Sequence, residues 1–314
     1  MKELIGNTPL IKIKYRYQNK IKNVYAKLEY YNLTGSIKDR MAYYIVTEAY
    51  KNKTLNKNQP IIEATSGNTG ISLAAVGAKF NNPVYIFMPD WVSKERKNIM
   101  EKYGAKVYLV SKQEGGFVEC IKRANQLAKE LNGFRPNQFE NKLNEEINYM
   151  TTAQEIINKN IKISGFVSGV GTGGTLMGIG KKLKEIYKNS KVIAIEPENL
   201  PIISKGINEG THKIEGIGDE FIPQLLDKNI IDQIILINDE DAINMTNLLA
   251  SKLGLGVGIS SGANFLGAVL SNLDNVVTGF PDDLKKYLSV DNKIKEQEKN
   301  FISNKIELID FEIV

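Results

Sequence analysis

GFVSGVGTGGTLMGIGKKLKEIY at positions 165–187 reads as three pieces: a short apolar strand, a loop of glycine and threonine, and an amphipathic helix. The strand (165–168) is brief and flanked by glycine, as a fully buried central strand is. The same unit recurs along the chain. Apolar runs at 24–28, 60–64, 84–88, 106–110, 192–196, 233–237 and 275–280 are strand candidates. Helical periodicity covers 40–51, 69–80, 94–103, 116–131, 151–158, 175–187, 239–253 and 262–270. Strands alternating with helices imply an α/β fold, with parallel sheets covered on both faces. No internal repeat is visible. The polar, Asn-rich stretch 134–148 reads as a junction between two domains. The closing IELIDFEIV alternates loosely, as an edge strand or an oligomer contact would.

Bulk properties narrow the function. The 314 residues are 42% apolar, enough for a sizeable core. Net charge is only +5, from 41 basic and 36 acidic residues spread without a basic arm, which argues against a dedicated nucleic-acid binder. A single cysteine, Cys120, excludes a disulfide within the chain and reads as a packing residue. The lone His212 cannot build a metal site, and no Cys/His cluster has ligand spacing. The N-terminus lacks an apolar signal core, and no run approaches the ~18 apolar residues of a membrane span. The expectation is a cytoplasmic protein that binds neither membrane nor nucleic acid.

Three polar segments carry chemistry. Lys38 lies in TGSIKDR (34–40), at the end of a turn and the start of a helix. A lysine is usually a solvated charge, but an amine held there by backbone can attack a carbonyl. TSGNTG (65–70) follows a strand and opens a helix, so hydroxyls and an amide sit beside free N–H groups that suit a carboxylate. An ordinary helix cap would also use such residues, though rarely so many. GVGTGGT (169–175) lets backbone approach a phosphate, with Thr172 and Thr175 adding hydroxyls. It also fits G-x-G-x-x-G through Gly169, Gly171 and Gly174, with Glu196 where a ribose-binding acid would sit. An NAD-dependent oxidoreductase is therefore a competitor. Against it, the motif lies mid-chain, the loop is rich in threonine, and Lys38 and TSGNTG are left without roles. A carbonyl-trapping lysine, a carboxylate loop and a single-phosphate loop together describe a pyridoxal 5'-phosphate site.

Those motifs, with IGNTPL (5–10), NQF (137–139), GIG (216–218), GISSGA (258–263) and FPDDLKKYLS (280–289), resemble the cysteine synthase family. That family includes O-acetylserine sulfhydrylases and cystathionine β-synthases. The match runs in order from Ile5 to Ser289. The resemblance implies two three-layer α/β domains of the pyridoxal-phosphate fold type II. The larger, cofactor-anchoring one would comprise 1–34 and 146–314; the smaller, 35–145, would close over substrate. It implies a homodimer. Lys38 matches the Schiff-base lysine that also moves the α-proton, and Asn68 the contact to the cofactor's 3-hydroxyl. Thr65, Ser66, Asn68, Thr69 and Gln138 match the substrate-binding set. Gly171, Thr172, Gly173, Gly174 and Thr175 match the phosphate cup.

The chain departs from the family at several places. Asp283 stands where a hydroxyl residue usually meets the pyridine nitrogen; a carboxylate there would favour the protonated ring. Asp219 and Glu220 follow GIG, where sulfhydrylases carry small residues. Asp219 is either a solvated loop acid or a general base at the site's mouth. Leu33 and Thr34 replace a proline-containing pair, with a local backbone effect expected. The resemblance implies β-replacement through an α-aminoacrylate. Asp219 and Asp283 tilt the reading toward L-cysteine as substrate, with H₂S leaving and water giving L-serine. Synthesis of cysteine from O-acetylserine and sulfide is the alternative, and a non-catalytic protein keeping the fold is a further one.

Overall fold

Alternation of strand and helix resolves into two sheets. The computed structural model describes residues 1–290 and 300–314. The chain opens with an antiparallel pair, β1 (Leu10–Tyr17) and β2 (Lys20–Leu28). Gln18 and Asn19 turn between them with φ of 48° and 61°, the positive values that match strand twist in a two-residue hairpin. β3 (Ile61–Ala64), β4 (Val84–Pro89) and β5 (Lys106–Val110) form a parallel three-stranded sheet. β6 (Gly165–Gly169), β7 (Lys191–Pro197), β8 (Gln233–Ile237), β9 (Val276–Phe280) and β10 (Ile306–Ile313) join the first hairpin in a second sheet. Its order is β10-β1-β2-β9-β6-β7-β8, antiparallel only at the β10–β1 and β1–β2 pairs.

The principal helices lie where periodicity placed them: α1 (Lys38–Lys51), α2 (Asn68–Phe80), α3 (Lys94–Lys102) and α4 (Gly116–Glu130). The polar stretch 134–148 is irregular through residue 142 and helical from Leu143. α5 (Leu143–Ile147) passes through a π turn (Asn148–Thr152) into α6 (Ala153–Ile157). Then come α7 (Gly174–Ile186), α8 (Ile202–Lys205), α9 (Asp239–Leu253) and α10 (Ile259–Leu270).

Each sheet is covered on both faces. On one side of the larger sheet, Ile13, Val24, Val167 and Ile195 pack against Leu249 of α9 and Phe265 of α10. On the other, Tyr25, Phe166, Val192 and Val277 meet Ile156 of α6 and Met177 of α7. The smaller sheet packs Ile61, Ile86 and Met88 against Val46 and Ile71, and Ile62, Ala64 and Phe87 against Phe117 and Cys120 of α4. This is the mixed α/β, mostly parallel architecture with three layers per sheet. No described helix is long and apolar enough to cross a membrane.

A buried ionic cluster fixes the start of α1. Arg40 donates from Nε and Nη2 to the two carboxylate oxygens of Glu29, at 2.7 and 2.8 Å, and from Nη1 to Glu155 at 2.6 Å. Lys27 reaches Glu155 at 2.7 Å. Burial alone would raise the Glu29 pKa, but the Arg40 charge and its hydrogen bonds hold it at about 2. The cluster ties α1, two residues past Lys38, to β2 and α6. Arg40→Ala would remove the bidentate partner of Glu29 and leave Lys27 to balance two carboxylates, so it should lower unfolding free energy by about 3–5 kcal/mol, read from the urea midpoint.

Candidate active site

The polar loops that follow β3, β6 and β9 open on one cavity. Lys38, Thr65, Ser66, Asn68, Thr69, Gln138, Gly171, Thr172, Gly173, Thr175 and Asp219 all line it. Open α/β sheets place ligands at this end of their strands, where connections diverge.

Lys38 is the first residue of α1. The turn before it is held by the neighbouring Asp39, whose carboxylate accepts from the backbone N–H of Thr34 at 2.7 Å and from Ser72 Oγ at 2.6 Å. Asp39 thereby ties the turn to α2. Burial pushes the Lys38 amine below the ordinary lysine pKa; Asp282 and Asp219 oppose that shift and Lys286 adds to it. A larger fraction of neutral, nucleophilic amine follows.

The second loop turns sharply at Gly67, where φ is 155° and any Cβ would overlap Arg96 Cδ. α2 starts immediately after, without a side-chain cap. Its first N–H groups are therefore open to an anion, and the positive end of the helix faces it. Thr69 Oγ1 donates to Gln138 Oε1 at 2.6 Å, and Gln138 Nε2 donates to the Ala64 carbonyl at 2.8 Å. The third loop runs into α7, also uncapped, with Gly173 at φ 84°. Gly171 packs so closely on the next loop that a Cβ would lie 2.5 Å from the Gly216 carbonyl. Thr172 Oγ1 accepts from Asn144 Nδ2 at 2.9 Å.

Asp219 lines both this cavity and a wider outer one that also includes Trp91, Lys112 and Lys213. Burial pushes its pKa up to about 6, with Lys38 pulling it down and Glu220 pushing it up. Asp219 is half-buried where the two cavities meet. Asp283 requires a correction: it is not among the cavity-lining residues. Its carboxylate caps the following turn by accepting from the Lys285 N–H at 3.0 Å, and it lies against Gly35. The cause is strand alternation. The backbone at Asp283 is extended, so consecutive side chains point to opposite sides, and Asp282 takes the inward position. Asp282 is 1% exposed and accepts from Asn68 Nδ2 at 2.8 Å.

Several residues of the site fell outside the sequence reading. Arg96, on α3, is fully buried; it donates to Tyr287 Oη at 2.7 Å and to the Ser66 carbonyl at 3.1 Å, and pairs with Glu215 at 2.7 Å. In sequence it sits within KERK, which looks like a solvated helix face. Asn144 lies in the stretch read as a junction and bridges the Gln138 carbonyl to Thr172. Ser260, in GISSGA, is buried on the cavity wall with Pro281. Glu196, the ribose-binding acid of the oxidoreductase alternative, spends its carboxylate on the N–H groups of Ile203 and Ser204 at 2.7 and 2.9 Å. Among the described residues no cluster of His, Cys, Asp or Glu could hold a metal.

Comparison with known proteins agrees with this geometry. A family model described as pyridoxal-phosphate dependent enzyme matches residues 1–282. A cysteine synthase of Staphylococcus aureus is 40% identical over 294 residues, covering 91% of this chain and 94% of the relative. Cysteine synthase B of Campylobacter jejuni is 41% identical, covering 92% and 96%. A hydrogen sulfide-producing enzyme from Fusobacterium nucleatum superposes with a TM-score of 0.95 at 46% identity, covering 100% of this chain and 98% of that one. A mutant of that enzyme was crystallised with an alpha-aminoacrylate intermediate.

The residues present fit pyridoxal phosphate. Two uncapped helix N-termini, each suited to an anion, open on one cavity that Lys38 also lines. Gly171→Ala should force the loops at Gly171 and Gly216 apart. Overpacking of about 1–3 kcal/mol predicts at least about fivefold weaker cofactor retention, read by absorbance titration of the apoprotein.

Proposed function

Because this chain belongs to the cysteine synthase group of the pyridoxal-phosphate dependent enzymes, we propose that it converts L-cysteine and water to L-serine and hydrogen sulfide. In this reading Lys38 holds the cofactor covalently, the N–H groups of Gly171–Thr175 take its phosphate, and Asn68 meets its phenolic oxygen. Ser260, rather than Asp283, faces the ring nitrogen. When bound, the cofactor supplies an electron sink for the substrate's α-carbon. The α2 N-terminus, with Thr65, Ser66, Asn68, Thr69 and Gln138, holds the substrate carboxylate. Residues 35–145 close over it, while 1–34 and 146–314 anchor the cofactor.

Lys38, displaced by the incoming amino group, removes the proton from Cα. The Cβ–S bond then breaks and sulfide departs. Asp219 takes a proton from water as the oxygen bonds to Cβ and releases it to balance the departing HS⁻ as H₂S, and Lys38 returns its proton to Cα. The sum is cysteine plus water giving serine plus H₂S, with no change of oxidation state.

One observation carries the direction. Asp219 stands where the inner cavity meets the outer one, with its pKa pushed up to about 6. A base tuned toward operating pH is effective in proton transfer. Its charge also opposes HS⁻, the nucleophile of the reverse reaction. The hydrogen sulfide-producing neighbour at 46% identity supports the same direction. The 40% identity to cysteine synthases favours the other, in which sulfide adds to O-acetylserine.

Asp219→Asn should slow serine formation about 10²–10⁴-fold while sulfide from the first turnover persists. Quenched-flow assays of both products would show this, and serine appearing at the wild-type rate would refute the role. In the wild type, serine formation should rise as pH passes through about 6, as Asp219 ionises. L-Cysteine alone yielding neither product, with rapid sulfide uptake in the presence of O-acetylserine, would establish the synthetic direction instead.

A further inference from the structure

Asn68 is gripped at both ends of its amide by opposite charges. Its Nδ2 donates to Asp282 Oδ2 at 2.8 Å, and its Oδ1 accepts from Lys286 Nζ at 3.0 Å. The two ends of an asparagine amide are similar in shape, so orientation must come from partners. Here it does: a carboxylate only accepts and an ammonium only donates. Both charged groups are buried, at 1% and 2% exposure. Each is itself anchored. Asp282 accepts from Tyr287 Oη at 2.7 Å and lies 3.6 Å from Arg96 Nη2, while Lys286 Nζ also donates to the Gly35 carbonyl at 2.8 Å. Neither Asp282 nor Lys286 lines the cavity, whereas Asn68 does. One Nδ2–H remains free. The cavity is therefore offered a donor, and hydrogen bonds to flanking charges polarise the amide further.

We propose that Asp282 and Lys286 are positioning residues that lock Asn68 as a hydrogen-bond donor toward the phenolic oxygen of bound pyridoxal phosphate, keeping that oxygen ionised. The inference rests on the assignment of Asn68 to that oxygen made above. A donor stabilises an ionised oxygen; a flipped amide would present its carbonyl and stabilise the protonated one. The lock is made of FPDDLKKYLS residues alone, on the far side of Asn68 from the cavity.

The two charges also allow a direct electrostatic effect to be told from the lock. Asp282 and Lys286 act on Lys38 with opposite signs. Removing either charge singly would shift a purely electrostatic response in opposite directions. Through the amide, both removals act in the same direction, because each frees Asn68 to flip.

The test is a pH titration of the visible absorption of purified, cofactor-loaded protein. Asp282→Asn and Lys286→Gln should both shift the balance toward the shorter-wavelength, protonated-phenol form by about tenfold, the usual effect of one hydrogen bond to a charged group. Their kcat should fall by more than KM for the amino acid rises, since Thr65, Ser66, Thr69 and Gln138 still hold its carboxylate when Asn68 flips. Lys286→Arg, which keeps the charge and donors, should restore the wild-type spectrum. Tyr287→Phe, which loosens Asp282 without touching Asn68, should lower the melting temperature and leave the spectrum alone. Wild-type spectra in both charge-removing variants would overturn the proposal, as would opposite shifts in the two, or a shift in Tyr287→Phe as large as theirs. Should Asp282→Asn fail to fold, Lys286→Gln against Lys286→Arg decides. A wild-type protein that takes up no cofactor would overturn the site assignment itself, and this inference with it.

Discussion

A lysine amine that must be uncharged has to be kept from the acids around it. Lys38 is desolvated, which favours the neutral form, yet Asp282 and Asp219 both pull toward the cation. At an effective dielectric near 20, a free carboxylate about 4 Å from an ammonium stabilises the charged form by about 4 kcal/mol. That is about three pKa units, in the direction opposite to the effect of burial. The structure limits this by giving two of the nearby acids other partners. Asp39 is taken up by Thr34 and Ser72, and Asp282 by Asn68, Tyr287 and Arg96. Much of the polar architecture behind the cavity can be understood as keeping carboxylates off one nitrogen.

The same network joins the two sheets. Loops from the small sheet supply Thr65–Thr69, and loops from the large one supply 169–175, 216–219 and Pro281. Arg96 belongs to the first group through α3, yet its guanidinium contacts Ser66 in its own group and Glu215 and Tyr287 in the other. Glu215 lies four residues before Asp219. Ser66 and the loop that carries Asp219 are thus joined through a single buried side chain. Gly67 is required for the same reason, since any side chain there would occupy Arg96's space.

Much of this was legible in sequence because glycine and threonine loops announce backbone that must approach an anion. Lys38, TSGNTG and GVGTGGT were found that way, and the structure brings them to one cavity. What failed to show did so for identifiable reasons. β1 alternates Ile11, Ile13 and Tyr15 with Lys12, Lys14 and Arg16, a strand signal, but its turn is Gln18-Asn19 rather than the Asn-Gly that marks hairpins. Asn144 was hidden in a polar run whose helix is interrupted by a π turn. Arg96 is a buried cation in a charged tetrapeptide, and composition does not separate buried from solvated charge. Between Asp282 and Asp283 the chemistry is identical. Only the phase of the extended backbone decides which faces inward, and one residue of register reverses it.

Phase also bears on what distinguishes this chain from sulfhydrylases. An acid at 283 would have acted on the cofactor's ring; an acid turned inward at 282 acts on Asn68 and Lys38 instead. Of the two acids that line both cavities, Glu215 is paired with Arg96, which leaves Asp219 to face the passage between them. In the proposed direction both neutral species, water arriving and H₂S leaving, pass a carboxylate without electrostatic penalty, and any HS⁻ formed is repelled outward. In the synthetic direction the attacking HS⁻ must pass the same negative charge within a partly desolvated channel, where like charges repel most strongly. A small neutral residue at 219 would remove that barrier along with the base. In the proposed reading, then, direction rests less on the shared cofactor machinery than on the charge of one side chain at the junction of two cavities.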